Sequence, residues 1–216
     1  MPMKLYKSLD SIVNRIRHSR KRGLNSYDRP LLMKRINIKK FLSIALVALS
    51  ISHGGFLYAQ NTDAVDLDQL KVAFVFNFSK YFTWPENGKW SDIENFNICV
   101  NDSKASNAYF TALAGEISQG KTIDIIDISE GSIDIGKTCH IWFIDQASFS
   151  KNRARLEALG SSDVLTVSDY PGFYLAGGIM EFVRVGNRMK FRINSQAAED
   201  KRLSVSSFLM TLAMKN

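Results

Sequence analysis

Histidine and cysteine are scarce in this chain, and that narrows the chemistry open to it. Of its three histidines, His18 and His53 fall within residues 1–59, and only His140 lies beyond them. A zinc site of two histidines is therefore excluded from residues 60–216, and a serine triad survives there only with His140 as its base. No Walker loop, GxSxG or GxGxxG occurs. The pair Gly177-Gly178 lacks the strand-to-helix context of a phosphate loop and reads as a turn or a close backbone approach. No second apolar run of spanning length, proline-rich linker, repeat or low-complexity tract divides residues 60–216, a length suited to one domain with its own core.

What is present first is a leader. Lys34, Arg35, Lys39 and Lys40 precede the apolar run "FLSIALVALSI" at residues 41–51, and Leu57 and Ala59 are placed for signal peptidase. This is the pattern of a secretory signal peptide cut after Ala59. The run is broken by "SHGG", so it is short for a spanning helix, and an uncleaved anchor is the alternative. Met33 begins a leader of ordinary length, which makes it the candidate start. Residues 1–59 hold 12 of the 28 Lys and Arg and 2 of the 21 Asp and Glu, so residues 60–216 carry 16 against 19, a net of −3. The basic balance belongs to the leader, and nucleic acid is not an expected partner.

The stretch "DLDQLKVAFVFNFSKYFTWP", residues 66–85, reads as a helix capped by Asp66 and stopped before Pro85. It is apolar on nearly every side, as a helix is when it is buried or covered by a partner. Strands are expected at "FNICV" (96–100), "TIDIIDI" (122–128), the doubly apolar "IWFI" (141–144) and "VLTVSD" (164–169). Between them, Ser103 opens a helix to about residue 117, and Ser148 or Ser150 opens one that Gly160 ends. The run "GGIMEFVRVGNRMKFRIN" is a hairpin about Gly186-Asn187. Its expected register sets Val185 against Arg188, Phe182 against Phe191, Met180 against Ile193 and Glu181 against Arg192. Arg188, Lys190 and Arg192 then form a solvated strand face, with an acidic partner as the alternative. Val205, Phe208, Leu209, Leu212 and Ala213 fall at helical spacing in the closing segment. The expected fold is α/β: a single-domain sandwich over residues 60–216, with a mostly parallel central sheet of about six strands ending in an antiparallel hairpin and helices on both faces.

Outside the cytosol the two cysteines of such a domain are expected to be bridged, Cys99 to Cys139. A difficulty attends this pairing. Cys99 lies late in its strand and Cys139 at the mouth of another, so strictly parallel neighbours hold them apart unless the chain runs back or twists. Cys139-His140 is a poor catalytic dyad, since adjacent strand residues point to opposite faces, and His140 reads as a satisfied, half-buried histidine. Asp102, Asp145 and Asp169 follow three strands, where open α/β sheets place their sites, in a faint likeness to a phospho-receiver pocket. Against that likeness, no helix fits between the second and third strands, no matched lysine ends a strand, and an exported protein meets little phosphodonor. Catalysis has no evident home, and the reading is of a protein that is not an enzyme and holds no metal or cofactor.

Taken in order, "LKVAFVFNFSKYFTWP", "FNICV", "CHIWFI", "VLTVSD" followed by Gly172-Phe173, the hairpin and "LSVSSFLMTLA" resemble the YfiR family of small periplasmic proteins, related to HmsC. The likeness spans about residues 68–213. It implies a periplasmic repressor that binds the periplasmic sensor region of an inner-membrane diguanylate cyclase, lowering cyclic-di-GMP and biofilm formation. It further implies a homodimer, sequestration by an outer-membrane lipoprotein, and a disulfide at the positions of Cys99 and Cys139; a second cysteine pair of some members is absent. For a protein that works by binding, the candidate surfaces are Tyr81, Phe82 and Trp84 at the end of the first helix, and Tyr170, Pro171, Gly172 and Phe173 in the loop after the fourth strand. Core packing is the competing account of both surfaces, and Arg192 and Asn194 at the end of the hairpin are weaker candidates for a small-molecule or partner contact. The rival function is a periplasmic ligand-binding module that signals to another membrane receptor, such as a histidine kinase.

Overall fold

The structure, a computed structural model, describes residues 66–86, 90, 93–101, 107–128 and 133–215. The expected leader with Met33, the acid Asp102 and the cap Ser103 lie outside the described residues. In chain order the elements begin with helix α1, Leu67–Tyr81, and strands β1, Phe82–Thr83, and β2, Phe96–Asn101. A one-turn helix α2, Asn107–Phe110, follows, then strands β3, Ile117–Ser118, and β4, Lys121–Asp127. Next come helix α3, Ile135–Thr138, strand β5, Ile141–Ile144, helix α4, Phe149–Ala158, and strand β6, Leu165–Ser168. The chain closes with strands β7, Met180–Val185, and β8, Arg188–Ile193, helix α5, Ser195–Asp200, strand β9, Ser204–Val205, and helix α6, Ser207–Leu212.

Seven strands form the main sheet in the order β3-β4-β2-β5-β6-β7-β8. The four central pairings are parallel, and both edges are antiparallel, β3 on β4 and β7 on β8. The sheet therefore has one more strand than expected, and an antiparallel pair at each edge rather than one. The added pair turns at Gln119-Gly120, where both residues have positive φ. At the other edge the hairpin has the register expected of its alternation, with Val185 opposite Arg188, Glu181 opposite Arg192 and Met180 opposite Ile193. Of the two turn residues only Gly186 takes positive φ, at +60, the first-position geometry that glycine tolerates.

Four helix expectations are corrected. Asp66 caps α1 as anticipated, its carboxylate accepting from the Asp68 N–H, but the helix ends at Tyr81, short of Pro85. Residues before proline resist the helical region, and the extended stretch reaches back to Phe82 because β9 supplies backbone partners, Phe82 to Val205 and Thr83 to Ser204. Val205 is thereby strand instead of helix, and α6 starts after Ser206, whose hydroxyl accepts from the Leu209 N–H. The helix expected to reach residue 117 stops as α2 and a 3-10 turn at Leu113, because Gly115 takes φ +85 and its N–H bonds to Ile123. Between β4 and β5, where no helix was expected, α3 makes one turn capped by Asp134.

Alternation along the strands feeds two apolar clusters. Ile98, Val100, Ile141, Phe143, Leu165 and Val167 pack with the buried residues of α1, and Phe74 and Phe78 meet Phe182 and Phe191 with ring centroids 5.2–5.9 Å apart. Cys99, Trp142 and Ile144 point into the second cluster with Phe149, Leu156 and Leu159 of α4 and its C-terminal end. β5 serves both clusters and is buried at all four positions, the reason its sequence is apolar without alternation. α1 is buried continuously from Val72 to Ser79, so its all-round apolar sequence is used up within the domain.

Candidate functional site

The sulfur pair lies at the centre of the sheet. Cys99 and Cys139 are joined, with Cα atoms 5.6 Å apart, although Cys99 stands opposite Trp142 in the β2–β5 register. The geometry works because the chain does not enter β5 in line: α3 lies immediately before it and delivers Cys139 over Cys99. The Asn97 side chain holds this bend by donating to the Thr138 carbonyl at 2.9 Å. His140 is turned away from the sulfur and is more deeply buried than expected, with 3 % of its surface exposed. Its Nδ1 accepts from the Asn97 N–H at 3.0 Å, and its ring lies 4.5 Å from Phe96 and 4.2 Å from Trp90.

Among the described residues, polar groups at the carboxyl ends of β2, β5 and β6 make internal hydrogen bonds. Between β2 and β5 the crossovers leave in opposite directions, which is where such sheets bind ligands. There the Asn101 side chain donates to the Ile128 carbonyl and accepts from the Trp142 indole, while Asp145 accepts from the Ser148 N–H. Asp169 accepts from the Gln146 N–H and pairs with Lys71 Nζ at 2.6 Å, and Lys71 also reaches Asp68 at 2.7 Å. A lysine thus does meet a strand-end acid, but it comes from α1 and fastens that helix to the sheet. Among the described residues no three His, Cys, Asp or Glu side chains are placed to hold a metal ion.

Burial alone would lower the Lys71 pKa, but the hydrogen bonds to Asp169 and Asp68, with their charges, outweigh it and leave the pKa above the ordinary lysine value. A raised folded-state pKa contributes stability below the unfolded value and loses it as pH climbs through the folded value. Stability followed by chemical unfolding should therefore fall above about pH 10, the ordinary lysine range, and Lys71→Met should flatten that fall. A variant with the same alkaline slope as the parent would show that the pair is not coupled to folding.

The two nominated aromatic surfaces lie at opposite ends of β6 and do not form one patch. At the amino end, the Trp84 indole donates to the Asp163 carbonyl at 3.0 Å and packs edge-on against Phe96. Phe82 is fully buried and turns no area outward, whereas Tyr81, against Phe208, and Trp84 are half-buried. At the carboxyl end, Tyr170 stacks on Phe149 at 4.0 Å, and Phe173 is sealed in the core beside it. Pro171 is exposed and Gly172, at φ +90, is half-buried.

Arg192 and Asn194, nominated separately from the loop, are brought to it. The Tyr174 N–H donates to Glu181 Oε2 at 2.9 Å, Arg192 donates to Glu181 Oε1 at 3.3 Å, and the Asn194 amide donates to the Tyr174 carbonyl at 3.2 Å. Glu181 is a buried carboxylate whose partners are the loop and the hairpin, so removing it would leave both unpaired. Gly178 presses on Phe173 from the other side: a Cβ there would overlap the ring. Held at three points, the loop presents Leu175 with 85 % of its surface exposed. Sequence reasoning stopped at Phe173 and missed Leu175; the available signal was an apolar residue between the turn glycines Gly172 and Gly177. It also missed Glu181 as the clamp, because a charge opposite Arg192 reads as an ordinary cross-strand pair.

Among the described residues no helix is long and apolar enough to cross a membrane. No curated protein matches the chain. A family model described as YfiR/HmsC-like matches residues 68–214, from the first turn of α1 to the end of the closing segment. That match takes in the parallel sheet, the bridged cysteines and the clamped loop, and the chain belongs to the YfiR/HmsC-like family.

Proposed function

We propose that the protein is an exported regulator that represses a membrane-anchored diguanylate cyclase by binding its periplasmic sensor region, so lowering cyclic-di-GMP. Family membership across residues 68–214 carries this reading. The structure supports it with a domain in which Asn101, Asp145 and Asp169, at the strand ends, are engaged internally and in which a clamped loop presents Leu175. A protein without chemistry controls an enzyme across a membrane by binding one state of the sensor better than the other. The loop residues Tyr170 and Pro171, with Leu175 at the tip, form the partner-facing surface in this proposal, and pre-organisation by Glu181, Arg192 and Asn194 lowers the ordering cost of docking. The half-buried Tyr81 and Trp84, at the far end of β6, are left to a second contact, with another copy of the chain or with a sequestering lipoprotein.

Deleting the gene should raise cellular cyclic-di-GMP and restoring it should bring the level down; an unchanged level removes the proposal. Leu175→Asp should fold as the parent does, because the side chain is solvated, yet weaken partner binding by about thirtyfold, the scale of an interface hot spot. Co-purification should retrieve a membrane protein with a cytoplasmic GGDEF-type domain. Recovery of a histidine kinase alone would favour the ligand-sensor reading instead.

A further inference from the structure

A second feature stands apart from the loop tip. Behind it, an open cavity of about 530 Å³ lies between the end of α4 and α5, walled by Leu156, Ala176, Gly177 and Ala197. Its volume falls in the range of small-molecule sites. Lys201 lines it and is 94 % buried, with 6 % of its surface exposed. An ammonium has three donors, and the partner of Lys201 Nζ is the Gly160 carbonyl at 2.5 Å. That contact closes the C-terminal end of α4 and engages one of the three donors, at a cavity whose wall also includes the polar residues Glu157, Asn194, Gln196 and Asp200. Lys71 makes the contrast: it is similarly shielded and takes two carboxylates. Burial lowers the Lys201 pKa, with the charge of Asp200 opposing in part.

We infer that this cavity binds a small monocarboxylate with a short apolar body, its carboxylate meeting the ammonium of Lys201 and its body lying against Leu156, Ala176 and Ala197. A carboxylate accepts charge-assisted hydrogen bonds from an ammonium, the strong class of such bonds. The mouth limits the charge of the ligand. Glu157 is offset by Arg153 at 3.2 Å, while Asp200, which accepts from the Gln196 amide and lies in the field of Lys201, disfavours a second negative charge, so a monocarboxylate should bind better than a dicarboxylate or phosphate. This inference goes beyond the partner assignment and does not depend on it, since binding is read on the isolated protein.

The probe is isovalerate, with isovaleramide as the neutral isostere, titrated into the oxidised protein and followed by amide chemical shifts. A ligand of this size is expected to bind with a dissociation constant of about 1 mM. The amides of Gly177, Ala197 and Lys201 should shift and saturate with isovalerate, and the amide isostere should bind at least about tenfold more weakly. Lys201→Met should lose at least the same factor. If that variant does not fold, Ala197→Leu decides: it fills the cavity while leaving Lys201 in place, and should abolish the shifts. Equal binding of isovaleramide, undiminished binding by Lys201→Met or Ala197→Leu, or no saturable shift in the parent would each overturn the site.

Discussion

Replacing Cys99 and Cys139 together with alanine is expected to lower the stability of the oxidised protein by about 4 kcal/mol, the value that the chain-entropy model assigns to a closed loop of this length. The two residues are 40 apart in sequence, and their bridge joins β2 to the entry of β5, the two strands at the centre of the sheet. Both cysteines are fully buried, so the alanines remove little besides the crosslink and the volume of two sulfurs. Denaturant unfolding of parent and variant, each monitored by tryptophan fluorescence, would measure the difference. Trp142 stands opposite Cys99 and should report the loss of packing directly. The variant should unfold at a lower midpoint with a comparable slope, since the native contacts stay while the unfolded chain gains freedom. An unchanged midpoint would mean that the Asn97 bonds to the Thr138 carbonyl and to His140 hold this junction without the sulfurs.

That junction also marks the boundary of what the sequence discloses. The pairing of Cys99 with Cys139 was readable from compartment and number, but the means by which parallel strands allow it was not. It depends on α3, a single turn whose existence rests on the Asp134 cap and on the Asn97 amide reaching the Thr138 carbonyl. A four-residue helix has too few turns to leave a periodic signal. The same limit explains α2 and β1: Phe82 and Thr83 continue the apolar pattern of α1, and only the distant partners Ser204 and Val205 make them a strand. The hairpin, by contrast, was legible to the residue, because a two-residue turn and alternating apolar and charged positions admit one register. The Asp66 cap of α1 was legible for the same local reason. In the candidate site the loop residues, Arg192 and Asn194 were visible singly, but their convergence on Tyr174, Arg192 through Glu181 and Asn194 directly, is a product of the parallel β6–β7 pairing. Local pattern carries no information about a crossover made by a loop without a helix.

Gly178→Ala should be the most damaging single-atom-scale change in the loop, because a methyl group there would occupy the space of the Phe173 ring. The ring cannot give way cheaply: it is fully buried, edge-on to Phe149, and its own N–H and carbonyl are bonded to Tyr170 and Gly178. Overpacking of a closed site costs about 3 kcal/mol at the upper end of its usual range. The cost can be taken in two ways with different consequences. If the domain holds and the loop is expelled, Tyr174 leaves Glu181, Leu175 loses its fixed position, and partner binding falls by about the factor expected of Leu175→Asp while the midpoint of global unfolding drops less. If the loop holds, global stability bears the whole cost and binding survives in the folded fraction. A double variant distinguishes a steric origin from any other: Phe173→Leu costs stability on its own through lost ring volume, but it should recover part of the Gly178→Ala penalty, giving an interaction energy opposite in sign to the two single effects. Strict additivity of the pair, measured by unfolding midpoints, would remove the contact between Gly178 and Phe173 as the reason that glycine stands there, and with it the rigidity on which the docking role of Leu175 depends.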